Sequence, residues 1–96
     1  MISIEVVKKD REALIIYELP QQVDKLKLLE EIAEIVKNNV IDGISELKDE
    51  SSRDGVRIVI ELKRDVDAYI TLNQLYIHSH ESKKIKEKIL EKAKIQ

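Results

Sequence analysis

Cysteine, tryptophan and phenylalanine are absent from this 96-residue sequence. Without cysteine there is no disulfide and no thiolate metal site. Proline occurs once, at Pro20, and glycine twice, at Gly43 and Gly55, so each marks a break, and no strong breaker follows Gly55. Two isolated glycines cannot build a phosphate-cradling loop, which argues against nucleotide binding. No apolar run approaches the roughly 20 residues that cross a bilayer. Glu5, Lys8, Lys9 and Asp10 interrupt the apolar stretch that a signal peptide needs. An excess of one charge is missing too. Lys and Arg number 17 and Asp and Glu 19, a net charge of −2, so no general attraction to DNA or membranes follows. These absences lead to the expectation of a single soluble cytoplasmic domain.

What is present is charged and aliphatic. Charged residues make up 38 % of the chain and hydrophobic residues 43 %, enough for a modest core. Residues 2–7 alternate, with Ile2, Ile4 and Val6 on one face, and read as a half-buried strand. The polar stretch 8–12 has hairpin length. Residues 13–19 are apolar on both faces, which marks a more central strand, ended by Pro20. The period then changes. Leu26, Leu29, Ala33 and Val36, widened by Ile32 and Ile35, predict an amphipathic helix over 22–38, closed by Asn38 and Asn39. A short strand is expected at 43–48, a polar loop at 49–55 with an Asp-Gly turn signal, and the clearest strand at 56–62. Asp65 is a suitable N-cap for a helix carrying Tyr69, Leu72, Leu75, Tyr76 and Ser79. Residues 83–94 have strong helix propensity. Whether 79–82 breaks the chain or continues one long helix is open at this level. The order ββαββα predicts an α+β fold: a four-stranded, largely antiparallel sheet with helices packed on one face, plus a Lys/Glu-rich C-terminal helix.

Few residues carry chemistry. Asp42, Asp49, Glu50 and Asp54 do not match the spacing of a calcium loop, and Arg53 and Arg57 compete for the same charges, so a solvated turn with local ion pairs is expected. His78 and His80 lie two apart and do not face one another on a helix; zinc needs three or four ligands. No nucleophile motif occurs. The reading has no metal site, no cofactor and no catalytic residue. Residues 81–96 hold six Lys against three Glu, a basic helix that reads as a solvated face with Glu–Lys pairs among Glu87, Glu91 and Lys94. The stripe Ile85, Ile89, Ala93 needs a partner, either the sheet of this domain or a second copy in a homodimer.

Ordered blocks across the middle of the chain resemble a known family. Glu18-Leu19-Pro20-Gln21-Gln22-Val23-Asp24-Lys25 resembles the E-(I/L)-P-Y-Q-V-N-K segment of bacterial type IIA DNA topoisomerase A subunits, those of gyrase and topoisomerase IV. The likeness continues through Ile32-Ala33-Glu34-Ile35-Val36 and Ile41-Asp42-Gly43-Ile44. It is strongest at Asp49-Glu50-Ser51 and at Arg53 to Lys63, and returns at Leu72-Asn73-Gln74-Leu75-Tyr76. It covers residues 11–78. Gln21 stands where the family has Tyr, Asp24 where it has Asn, and Lys48 where it has Arg. After His78 the family's Leu-Gln and its next strand give way to the Lys/Glu-rich helix.

The resemblance implies the tower part of a DNA breakage-reunion core, flanking and supporting bent DNA in an ATP-dependent enzyme. Its partners are the B subunit, together with the remainder of the A subunit. The family's catalytic Tyr follows an Arg. Here Tyr17 follows Ile16, Tyr69 follows Ala68 and Tyr76 follows Leu75, so cleavage of DNA by this chain alone is not expected. The division expected is a tower-like domain at 1–80 and a C-terminal helix at 81–96 that departs from the family, as in an excised or engineered fragment. Any contact with DNA is expected to be weak and non-specific, through phosphates, from Lys25, Lys27, Lys48, Arg53 and Arg57. About half of these five are expected to pair with Asp49, Glu50, Asp54 and Glu61 instead. The alternative is a structural or self-associating scaffold with no ligand.

Overall fold

The computed structural model describes residues 2–95, with side chains to residue 91. Its elements are β1 (Ile2–Lys8), β2 (Arg11–Ile16), α1 (Lys25–Lys37), β3 (Ile44–Asp49), β4 (Ile58–Leu62), α2 (Ala68–His78) and α3 (His80–Ile95). The strands form one antiparallel sheet in the order β1-β2-β4-β3. The α+β architecture read from the sequence therefore holds, with order ββαββαα. Ala13, Leu14, Ile15 and Ile16 are all buried, as strands inside a sheet require.

The two faces of the sheet are covered differently. Leu14, Ile16, Ile58, Ile60 and Leu62 join Leu28, Ile32 and Ile35 of α1, Leu75 of α2 and Ile85 of α3 in one core. On the other face Ala13, Ile15 and Val59 make a small separate cluster. Glu61 lies opposite Ala13 and Lys48 opposite Val59, so charged side chains with aliphatic stems roof that patch.

Several local expectations shift. In α1 the buried line is Leu28, Ile32 and Ile35; Leu26 is 65 % exposed and Ala33 is exposed. Apolar residues at 26, 28, 29, 32, 33, 35 and 36 allow two helical phases, and packing on the sheet selects the second. Strand β2 ends at Ile16 rather than at Pro20. The N-cap of α2 is Asp67, not Asp65: its Oδ1 accepts from the Tyr69 and Ile70 N–H groups at 2.8 and 3.2 Å. Asp65 instead turns the chain at φ 61° and donates its N–H to the Asp10 carbonyl at 3.0 Å. Tyr69 faces solvent, whereas Tyr76 is buried. Asn39 closes α1 in the left-handed region at φ 53°, as asparagine permits.

The open question at 79–82 is settled by hydrogen bonds. Ser79 is extended, φ −111° and ψ 116°, so α2 and α3 are separate helices. Its Oγ accepts from the Ser82 N–H at 3.2 Å, capping α3, and donates to Glu31 Oε1 on α1 at 2.8 Å. The same Glu31 oxygen accepts from the Glu81 N–H at 2.9 Å. Glu81 reciprocates: its Oε1 accepts from the Asp24 N–H at the start of α1, 2.8 Å, and its Oε2 meets Lys84 Nζ at 2.8 Å. Glu81 is only 2 % exposed. Two carboxylates thus tie the first turn of α3 to α1, each satisfying a backbone N–H that lacks a helical partner.

The bond from Lys84, with that from the Asp24 N–H, lowers the Glu81 pKa below its ordinary 4.5. A depressed acid stabilises the fold above its unfolded pKa and loses that contribution as pH falls through the folded value. The melting temperature should accordingly drop as pH falls below about 4.5, and Glu81→Gln should flatten that limb in a calorimetric pH series. Glu81→Ala should cost about 2–3 kcal/mol in denaturant unfolding at neutral pH, since buried donors lose a charged acceptor. At Gly43 an added Cβ meets Val66 Cγ1 at 2.7 Å and Thr71 Oγ1 at 3.2 Å. Gly43→Ala should cost about 1–3 kcal/mol in the same assay.

Candidate functional site

The five cations occupy one end of the molecule but two sides of the sheet. Lys25 and Lys27 belong to the first turn of α1, whose N-cap Asp24 accepts from the Lys27 N–H at 3.1 Å. Lys48 is on β3, and its neighbour Leu47 packs toward the main core, so Lys48 takes the opposite face with Glu61. Arg57 precedes β4. Arg53 rides on the tip of the connection between β3 and β4, where Ser52 and Gly55 exchange backbone bonds at 3.0 and 3.2 Å. Gly55 has φ 152°, a conformation that favours glycine. The central turn residues are Arg53 and Asp54, one position earlier than an Asp-Gly turn.

Ion pairs take up three of the five. Lys25 Nζ lies 3.3 Å from Asp49 Oδ2. Lys48 Nζ lies 3.4 Å from Glu61 Oε1 and 3.9 Å from Glu46 Oε2. Arg57 meets Glu50 Oε1 at 3.1 Å and Glu5 Oε2 at 3.9 Å. Asp54 takes no part in these pairs. Among the described residues, the Lys27 ammonium and the Arg53 guanidinium make no ion pair. The pairs leave their mark on titration. The hydrogen bond to Glu61, and then the charges of Glu61 and Glu46, raise the Lys48 pKa. Hydrogen bonds from Ser51, and after them Lys25, lower that of Asp49. Such exposed pairs are screened by solvent and add little to stability, and phosphate oxygens could replace the carboxylates as partners.

The other sequence candidates do not converge. His78 ends α2 and His80 begins α3, both exposed. Among the described residues no group of three His, Asp or Glu is placed to hold a metal ion. No helix among them is long and apolar enough to cross a membrane. Of the proposed self-association stripe, Ile85 is fully buried in this chain's own core, which removes it from any contact with a second copy. Ile89 is partly exposed, and the side chain of Ala93 lies outside the described residues. Sequence reasoning missed Glu31 and Glu81, because both sit among charged residues that look like solvated helix faces. Ser79 followed by an acid in the first helical turn was the available signal.

Comparison with known proteins accounts for the blocks noted in the sequence. The family model for the A subunit of DNA gyrase/topoisomerase IV matches residues 1–92, a span that includes most of α3. The DNA gyrase A subunit of Clostridium acetobutylicum is 54 % identical over 77 residues, 80 % of this chain and 9 % of that protein. Its counterpart from Rickettsia conorii is 55 % identical over 74 residues, 77 % of this chain and 8 % of the relative. That from Escherichia coli is 54 % identical over 69 residues, 72 % of this chain and 8 % of the relative. The chain spans less than a tenth of the length of these relatives. With nearly its whole length matched, the chain belongs to the family of DNA gyrase/topoisomerase IV A subunits.

Proposed function

We propose that this chain is a tower-type supporting module of a cytoplasmic type II DNA topoisomerase, holding duplex DNA by its phosphates without cutting it. In the parent enzyme it works with the B subunit, together with the remainder of the A subunit. Family membership supplies the class of substrate. Absence of an Arg-Tyr pair in the sequence supports a role in holding rather than in cleavage.

The observation that carries the proposal is the first turn of α1. It contains Lys25 and Lys27 and no acidic residue. The positive end of a helix dipole disfavours cations there by about 0.3–1 kcal/mol each. The Asp24 and Glu81 carboxylates already meet the backbone N–H groups at that end, so what favours an anion there is the side-chain charge of the two lysines. Lys27 has no carboxylate partner among the described residues, and Arg53 stands equally unpaired on the neighbouring loop tip. The carboxylates paired with Lys25, Lys48 and Arg57 hold those side chains in place and limit affinity. Weak binding without sequence preference is the consequence, because phosphate contacts position DNA and do not read it.

Fluorescence anisotropy against a short duplex at low and near-physiological salt tests this. Binding should fall with salt with a log–log slope of about −2 to −4, matching two to four released counterions. Lys27→Glu and Arg53→Glu should each weaken binding and flatten that slope by about one unit. Absence of binding at low salt, or binding indifferent to both substitutions, overturns the assignment.

A further inference from the structure

The sequence holds two Asp-Gly pairs, Asp42-Gly43 and Asp54-Gly55. Such a pair can rearrange without an enzyme. The backbone nitrogen of the glycine attacks the side-chain carboxyl carbon of the Asp and closes a five-membered ring. Glycine suits this step because no Cβ obstructs the close approach of its backbone. The attack also needs rotation about the Asp Cα–C bond, which a fixed backbone forbids. By type the two pairs are equal, and the fold separates them.

Asp42-Gly43 is locked in place. It lies between Ile41 and Ile44, both in the main core. The Gly43 carbonyl accepts from the Lys63 N–H at 2.8 Å, and Val66 and Thr71 close over its Cα. Rotation there would pull the start of β3, where Ile44 faces Leu62, away from β4. Asp54-Gly55 is held by far less. Residues 52–55 are all exposed, and no atom lies within 4 Å of the place a Gly55 Cβ would take. The Gly55 N–H donates to the Ser52 carbonyl at 3.2 Å, and the Asp54 N–H to Ser52 Oγ at 3.2 Å, both at the long limit for such bonds. Segments with few buried contacts open at little cost. Among the described residues neither the Asp42 nor the Asp54 carboxylate enters an ion pair, so the difference lies in the backbone.

We propose that Asp54 is a site of spontaneous isoaspartate formation, and that the fold withholds the same reaction from Asp42. The bond from the Gly55 nitrogen to Asp54 Cγ forms, and the N–H proton leaves with the carboxyl hydroxyl as water. A solvent water then adds at the Asp54 main-chain carbonyl and breaks its bond to the Gly55 nitrogen. The chain now runs through Cβ and Cγ, and the former main-chain carbonyl is a free carboxylate. Mass and formal charge are unchanged. One more carbon lies in the backbone between Ser52 and Gly55, so the paired bonds of the tip that carries Arg53 must re-form. This chemistry does not depend on the DNA-holding role.

Prolonged incubation of the whole chain at neutral pH and physiological temperature tests the site. Trypsin then separates the two pairs at Lys48, and an isoaspartyl methyltransferase with radioactive S-adenosylmethionine labels the rearranged residue. Label in the peptide holding Asp54 should exceed that in the peptide holding Asp42 by about tenfold or more, because Asp42 reacts only when the fold opens. Asp54→Glu should abolish the Asp54 label, since Glu must close a six-membered ring, with the circular dichroism spectrum unchanged at this exposed position. Asp42→Glu should leave the label as it was. The same incubation in concentrated urea should label both peptides. Equal labelling of the two peptides in the folded chain overturns the proposal. So does a folded chain unlabelled at Asp54, a label that persists in Asp54→Glu, or a urea sample labelled at Asp54 alone.

Discussion

The reciprocal tie between Glu31 and Glu81 holds the C-terminal part of the chain to the rest. From residue 56 onward no glycine or proline punctuates the sequence, so a helix running straight through 79–82 would satisfy every local preference. Such a helix would carry Ile85 away from the sheet. One extended residue, Ser79, lets α3 fold back, and its Oγ and the Glu81 N–H both depend on the Glu31 carboxylate. Glu81 then caps α1 from a distance. Burial of Ile85 supplies the apolar gain, and the two carboxylates supply the geometry that makes this burial reachable. Stability and direction thus come from different residues.

Patterns with a period of two were legible in the sequence. Ile58, Ile60 and Leu62 fall in the core as alternation requires, and the double-sided apolar run at 13–16 lies inside the sheet. The helical patterns were legible in kind and not in phase. Seven apolar residues between 26 and 36 leave the buried face of α1 undecided until the sheet is present. Asp65 and Asp67 are equally good caps by type. Their assignment depends on a long-range backbone bond from Asp65 to Asp10, which no local window contains. In the candidate site, the identity of possible counter-charges was legible, and the actual pairs were not, since Lys25–Asp49 and Arg57–Glu5 join separate elements.

The same charges do two tasks on the sheet. Lys48, Glu61 and Arg57 roof the small cluster of Ala13, Ile15 and Val59, which no helix covers. Their charged heads are engaged in ion pairs beside this apolar patch, and long charged side chains can cover apolar surface with their stems. This explains how a sheet with helices on one side keeps buried aliphatics on the other. It also separates the five cations into two sets: those committed to other residues of the fold, and Lys27 and Arg53, which make no ion pair among the described residues.

The strand order β1-β2-β4-β3 has a kinetic consequence. Each outer pair joins strands adjacent in sequence, but the central seam pairs Ala13 with Glu61. Closing that seam requires α1 and both flanking connections to be gathered first, and such non-local pairings slow folding. Until it closes, β2 and β4 each present a bare, strongly aliphatic edge, the kind of edge that recruits other chains. During synthesis the β1–β2 hairpin waits with its Ala13–Ile16 edge open until residue 62 has emerged. The hazard in making this protein therefore lies in the interval before its middle seam forms, and changes that speed β3–β4 hairpin formation shorten it.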